Sequence, residues 1–121
     1  VHELSVCQAL LAQVAEIAAG QGADHVTRIT VEVGPLSGVE PALLASAFEI
    51  ARAGGCASEA TLSIEATSVE IRCLSCGSQS QTAPNRLICA ACGGYRTRVV
   101  AGDELRLRRV ELHVTHHASA A

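Results

Sequence analysis

Residues 3–19 place Leu4, Cys7, Leu11, Val14 and Ala18 three and four positions apart, with Leu10 and Ile17 alongside. This spacing predicts a helix with one apolar face, ended by Gly20 and Gly22. Residues 28–33 then alternate strictly, with Ile29, Val31 and Val33 on one side and Arg28, Thr30 and Glu32 on the other. That is the pattern of a half-buried strand. Gly34-Pro35-Leu36-Ser37-Gly38 interrupts it as a loop. Pro41 suits the first turn of a second helix, where its missing N–H has no intrahelical partner to lose. Leu44, Ala47, Phe48 and Ala51 form the buried stripe of that helix, Gly54-Gly55 stops it, and Leu62, Ile64 and Ala66 predict a second strand.

Twice the alternation changes parity. Val69 and Ile71 lie out of step with Leu62, Ile64 and Ala66, and Val110, Leu112 and Val114 lie out of step with Leu105 and Leu107. A parity change signals a bulge or a strand leaving one layer for another. The two changes flank a cysteine-rich stretch, which is therefore read as a module inserted into a larger domain. The predicted fold is α+β: a small three-stranded sheet with two helices, formed by residues 1–68 and 100–114, plus an inserted zinc ribbon at 69–99. Residues 115–121 are expected to be a flexible tail.

Composition narrows the picture. Of 121 residues 49% are hydrophobic, yet Phe48 and Tyr95 are the only aromatics, so the core must be aliphatic. A net charge of −3 argues against a nucleic-acid or membrane-surface binder, and no apolar run is long enough to span a bilayer. All nine basic residues are Arg, which with the abundance of Ala reads as a GC-rich coding bias. Val1-His2-Glu3 shows none of the features of a signal peptide, so a cytoplasmic location is expected.

In that compartment paired cysteines point to metal, not to disulfides. Cys73-x-x-Cys76 and Cys89-x-x-Cys92 are twelve residues apart, and each pair is followed by glycine. Such a turn sets two thiolates on one ion, and its last position favours the positive φ that glycine adopts. Four thiolates close a tetrahedron with no open coordination position, the arrangement of a structural zinc site. Iron in a rubredoxin-like site uses the same ligands, and two redox-active pairs are a further reading. Four thiolates on one zinc would take the net charge to about −5. Arg72, Arg86, Arg96 and Arg98 crowd the module and could offset that charge.

The second informative feature is His2. A terminal amine, a His imidazole and the intervening backbone amides can close fused chelate rings, an all-nitrogen set suited to Ni(II) or Cu(II). A histidine there can equally be merely exposed. Val1-His2-Glu3-Leu4-Ser5 resembles the Met-His-Glu-Leu-Ser opening of the hydrogenase and urease nickel-insertion accessory proteins, the HypA/HybF family. Val33-Gly34-Pro35-Leu36-Ser37-Gly38-Val39-Glu40-Pro41, Ala47-Phe48-Glu49, both cysteine knuckles and Gly102-Asp103-Glu104-Leu105 are also similar, so the likeness runs over residues 1–114.

The resemblance implies a nickel-binding α/β domain and a zinc domain. It places a transferable Ni(II) on the Val1 amine, the His2 imidazole and the backbone amides of His2 and Glu3, and a structural Zn(II) on Cys73, Cys76, Cys89 and Cys92. The implied partners are a nickel-handling GTPase, a hydrogenase large-subunit precursor and, in some organisms, urease accessory proteins. Family members begin with Met where this chain has Val, a difference that a GTG start codon would produce.

Other residues carry blander readings. Cys7 and Cys56 are taken as ordinary apolar or loop residues. Glu3 is either a partner for the His2 imidazole or a solvated carboxylate, Glu40 belongs to the start of a helix, and His25 is a loop residue. His113, His116 and His117 form a terminal cluster able to catch metal weakly. No nucleophile–base pair or phosphate loop is present, so an enzyme is not expected. The alternative function is a zinc-ribbon adaptor that binds protein or RNA without a transferable metal.

Overall fold

The computed structural model describes residues 2–115; Val1, His116 and His117 lie outside them. In chain order the elements are α1 (Glu3–Gly20), β1 (His25–Val33), α2 (Pro41–Ala51), β2 (Thr61–Ala66), β3 (Val69–Cys73), β4 (Gln79–Thr82), β5 (Thr97–Ala101) and β6 (Leu105–His113). They form two helices and two three-stranded sheets, ordered β2-β1-β6 and β4-β3-β5. The chain divides into two compact units. One takes the residues up to Val31, Glu40–Ser63 and those from Leu107 on; the other takes Glu32–Val39 and Ile64–Arg106.

In the first unit α1 packs on α2. The α1 face is built on Cys7, Val14 and Ala18, all buried, whereas Leu4 is 42% exposed because it stands in the first turn. Pro41 occupies the first turn of α2 behind Glu40, whose backbone is extended, and Leu44, Ala47 and Phe48 point inward. The helix stops at Ala51, short of the glycine pair, and the Arg52 N–H still bonds to the Phe48 carbonyl. Cys7, Leu10, Leu11, Ile29, Leu44, Phe48 and Leu62 surround a gap of only about 10 Å³. At that size the aliphatic core is effectively filled.

The two parity changes have different causes. After Ala66 the chain leaves the β2-β1-β6 sheet, and β3 becomes the central strand of the other one. Its new parity buries Val69, Ile71 and Cys73. β4 pairs antiparallel with it from Val69↔Thr82 to Arg72↔Gln79, and β5 pairs antiparallel on the other side with a bulge at Glu70/Ile71. Near the C-terminus no element ends. β6 runs unbroken, and the slip falls at Arg108-Arg109, two consecutive exposed residues.

Within the second unit, the Gly34 loop meets the Gly102 turn backbone to backbone. The Gly34 N–H donates to the Glu104 carbonyl at 2.8 Å, and the Leu36 N–H donates to the Gly102 carbonyl at 2.8 Å. A Cβ on Gly34 would overlap that Gly102 carbonyl; Gly102 itself has φ +106°, and a Cβ there would lie 2.7 Å from Val69 Cα. The Glu104 carboxylate accepts the Gly102 and Asp103 N–H groups at 3.0 and 3.2 Å. These bonds, led by that from Gly102, hold its pKa below the usual range. Gly34→Ala is therefore expected to destabilise the protein by at least about 2 kcal/mol, because neither backbone can yield without losing those hydrogen bonds. Urea unfolding should show a lower midpoint at unchanged slope.

Candidate metal centre

Each C-x-x-C pair is a turn closed by backbone. The Gly77 N–H donates to the Cys73 carbonyl at 3.0 Å, and the Gly93 N–H donates to the Cys89 carbonyl at 2.9 Å. Gly77 and Gly93 sit at φ +77° and +73°, so the glycine after each pair is the residue that lets the turn close. Three further bonds hold the knuckles together: Cys73 N–H to the Ser78 carbonyl, Cys89 N–H to the Gly94 carbonyl, and Leu74 N–H to the Arg96 carbonyl. Gly94 has its own reason to lack a side chain, since a Cβ there would come within 3.2 Å of Cys92 Sγ.

The result is a four-sulfur cluster. Cys73 and Cys92 Sγ are 3.6 Å apart, as are Cys76 and Cys89 Sγ, so the short distances run between the knuckles. All four sulfurs lie within 4.8 Å of one another, and among the described residues this is the one group of three or more such side chains able to hold a metal ion. A tetrahedral ion with metal–sulfur bonds of about 2.3 Å needs sulfurs about 3.8 Å apart. Cys73 and Cys89 are buried, at 1% and 2% exposure, while Cys76 and Cys92 are exposed.

The surroundings favour thiolates. The Cys76 N–H points at Cys73 Sγ from 3.4 Å, and with the Ser75 N–H it lowers the Cys73 pKa. The Ser78 hydroxyl and backbone N–H bring Cys76 down to about 6. The Gly94 N–H acts the same way on Cys92, but the three sulfurs crowded against it outweigh that bond and raise its pKa to about 11. Three neighbouring sulfurs thus make the last deprotonation expensive unless a cation shares the charge.

Arg72 and Arg98 are paired neighbours on β3 and β5 and, with Val99 and Val100, line an open hollow of about 400 Å³. Arg86 lines a second hollow beside Cys89. Tyr95 is 83% exposed.

The first unit presents its candidate ligand differently. His2 is exposed at the head of α1 with an extended backbone and makes no side-chain cap bond, although its carbonyl accepts the Val6 N–H at 3.1 Å. The Glu3 carboxylate accepts the Glu40 N–H at 3.3 Å, which with its own N–H lowers its pKa. Of the two readings of Glu3, the observed partner is thus the backbone at the start of α2. His25 is not a loop residue: it opens β1 and stacks on His113. Local alternation does not extend to it, because Val26 is buried out of step with Ile29, Val31 and Val33.

Residues 1–112 match the family described as "Hydrogenase/urease nickel incorporation, metallochaperone, hypA". The chain is 44% identical over 114 residues to the hydrogenase maturation factor HypA of Nitrosospira multiformis, covering 94% of this chain and 99% of that protein. It is 36% identical to the factor of the same name from Aquifex aeolicus, covering 93% and 98%. The solution structure of the Ni metallochaperone HypA from Helicobacter pylori superposes with a TM-score of 0.72 at 29% identity, covering 95% of this chain and all of that one.

Proposed function

The chain belongs to the HypA family of hydrogenase and urease nickel-incorporation proteins, and from that premise we propose that it is a nickel metallochaperone for hydrogenase maturation. The observation that carries this reading is a family match over residues 1–112, which takes in the amino-terminal histidine as well as the cysteine knuckles. A zinc-ribbon adaptor would need only the knuckles, so that alternative is not favoured.

The proposed nickel ligands are the amine of residue 1, the backbone amides of His2 and Glu3, and the His2 imidazole. The first N–H groups of a helix have no intrahelical acceptor, so amides at the head of α1 can lose their protons to water and bind a metal through nitrogen without breaking helical bonds. The exposure of His2 leaves its imidazole free to close the chelate. The bond from Glu40 N–H to the Glu3 carboxylate holds the first turn in place while the ligands before it rearrange.

Cys73, Cys76, Cys89 and Cys92 fit a resident zinc ion, which would supply cross-linking of the two knuckles and no reactive position. The protein then carries and hands over metal without catalysing a reaction. It works in the cytoplasm with a nickel-handling GTPase and a hydrogenase large-subunit precursor, and in some settings with urease accessory proteins. Equilibrium dialysis against Ni(II), on a chain with an unmodified amino terminus, tests the proposal. One tight equivalent that depends on the free amino terminus is expected, and no tight equivalent would leave the adaptor as the better reading.

The two metals should part on acidification. An α-amino group has a pKa of about 7.7–8.0, and the coordinating amides must also give up protons, so acid displaces nickel as the pH falls towards about 6. Four thiolates in a closed site should keep zinc at that pH. Metal analysis across a pH series checks this; simultaneous loss of both would contradict separate sites.

A further inference from the structure

The His25 and His113 rings stack with centroids 4.8 Å apart and planes inclined by 25°. Both side chains are exposed, and both residues lie in the first unit, on strands that are neighbours in the β2-β1-β6 sheet. We propose that His25 and His113 form a second metal-binding site, a two-imidazole clamp for a divalent ion of the nickel-to-zinc range. It is independent of the amino-terminal site.

Imidazole is a ligand suited to nickel, copper and zinc alike, and metal–nitrogen bonds of about 2.0–2.1 Å put two ligand nitrogens about 3 Å apart. Rings stacked 4.8 Å apart would have to turn about their side-chain bonds to aim one nitrogen each at a shared ion. The backbone beneath them is held on both sides. The Asp24 N–H donates to the His113 carbonyl at 2.9 Å, and the Thr27 hydroxyl donates to the Glu111 carbonyl at 3.1 Å. Such preorganisation leaves little ordering cost for an ion to repay.

The local charges also suit a cation. The Asp24 carboxylate accepts the Thr115 hydroxyl. Asp24 precedes His25 in the chain and bonds through its N–H to the His113 carbonyl, which sets a carboxylate close to the pair. The nearby Arg28 is paired with Glu111 at 3.6 Å.

The test uses the full chain loaded with one equivalent of zinc and carrying His2→Ala, His116→Ala and His117→Ala, which removes the other imidazoles. Nickel is titrated by dialysis with metal analysis, and paramagnetic broadening of amide signals is followed by NMR. One Ni(II) per chain should remain, with broadening centred on residues 24–27 and 111–113, and added Zn(II) should compete for it. His25→Phe keeps an aromatic ring against His113 but removes the nitrogens; like His113→Ala, it should weaken binding about tenfold or more. Absence of nickel from the starting chain, or binding unchanged by His25→Phe, would overturn the proposal.

Discussion

Replacing Cys73 or Cys92 with Ser is expected to abolish stoichiometric zinc and to unfold the cysteine-bearing unit while the helical one keeps its structure. The imbalance between the two cores is the reason. In the first unit Cys7, Val14, Val26, Ile29, Val31, Leu44 and Phe48 are buried around a filled gap. Val33, Val69 and Ile71 are the only large apolar side chains buried in the second, so the metal must supply most of what holds the knuckles. In small zinc peptides metal binding contributes about 10–16 kcal/mol of folding free energy. Losing one thiolate leaves three sulfurs crowded on an incomplete site and removes a tie between the knuckles. Zinc should fall from about one per chain to near none, and amide exchange in Ile64–Arg106 should accelerate before that in α1 and α2. Exchange that speeds up equally in both units would contradict separate stabilisation.

The second large effect belongs to His2. His2→Ala is expected to eliminate the tight nickel equivalent with zinc content and melting temperature unchanged. The side chain is exposed and outside the Cys7–Val14–Ala18 face, so its removal opens no cavity. What is lost is the ring-closing ligand. Acetylating the amino terminus should reproduce the loss by a different route, because it converts a basic amine into an amide and leaves the imidazole intact. Binding should drop in both cases by about two orders of magnitude or more, as befits loss of a ligand from a fused chelate. Histidines elsewhere can hold residual metal, so the readout is the tight equivalent. If both altered chains retained one Ni(II) at unchanged affinity, the amino-terminal assignment would be wrong.

How far the sequence is legible depends on the range of the interaction concerned. α1, α2 and the cysteine knuckles were readable because spacing, Pro41 and the glycines after each pair act within a few residues. The change of sheet after Ala66 was readable as a parity change, since burial in a new layer resets which side chains face inward. Arg108-Arg109 produces the same signal for another reason, and only the structure shows β6 continuing through it. Contacts between distant segments left no local trace. The pairing of Glu3 with Glu40, of His25 with His113, and of Gly34 with Gly102 each joins residues at least 37 positions apart. The end of α2 is likewise not local to the glycines: the helix stops at Ala51, with the Arg52 N–H closing its last bond to the Phe48 carbonyl.

The uneven burial of the four sulfurs bears on the order in which the centre comes apart. Each knuckle contributes one buried cysteine, Cys73 or Cys89, and one exposed one, Cys76 or Cys92. A chelator or thiol-reactive reagent must therefore begin at Cys76 or Cys92. An ion freed from both would still rest on Cys73 and Cys89, one ligand from each turn. Partial attack thus leaves the two knuckles bridged, and the last step, not the first, should govern how fast the metal escapes.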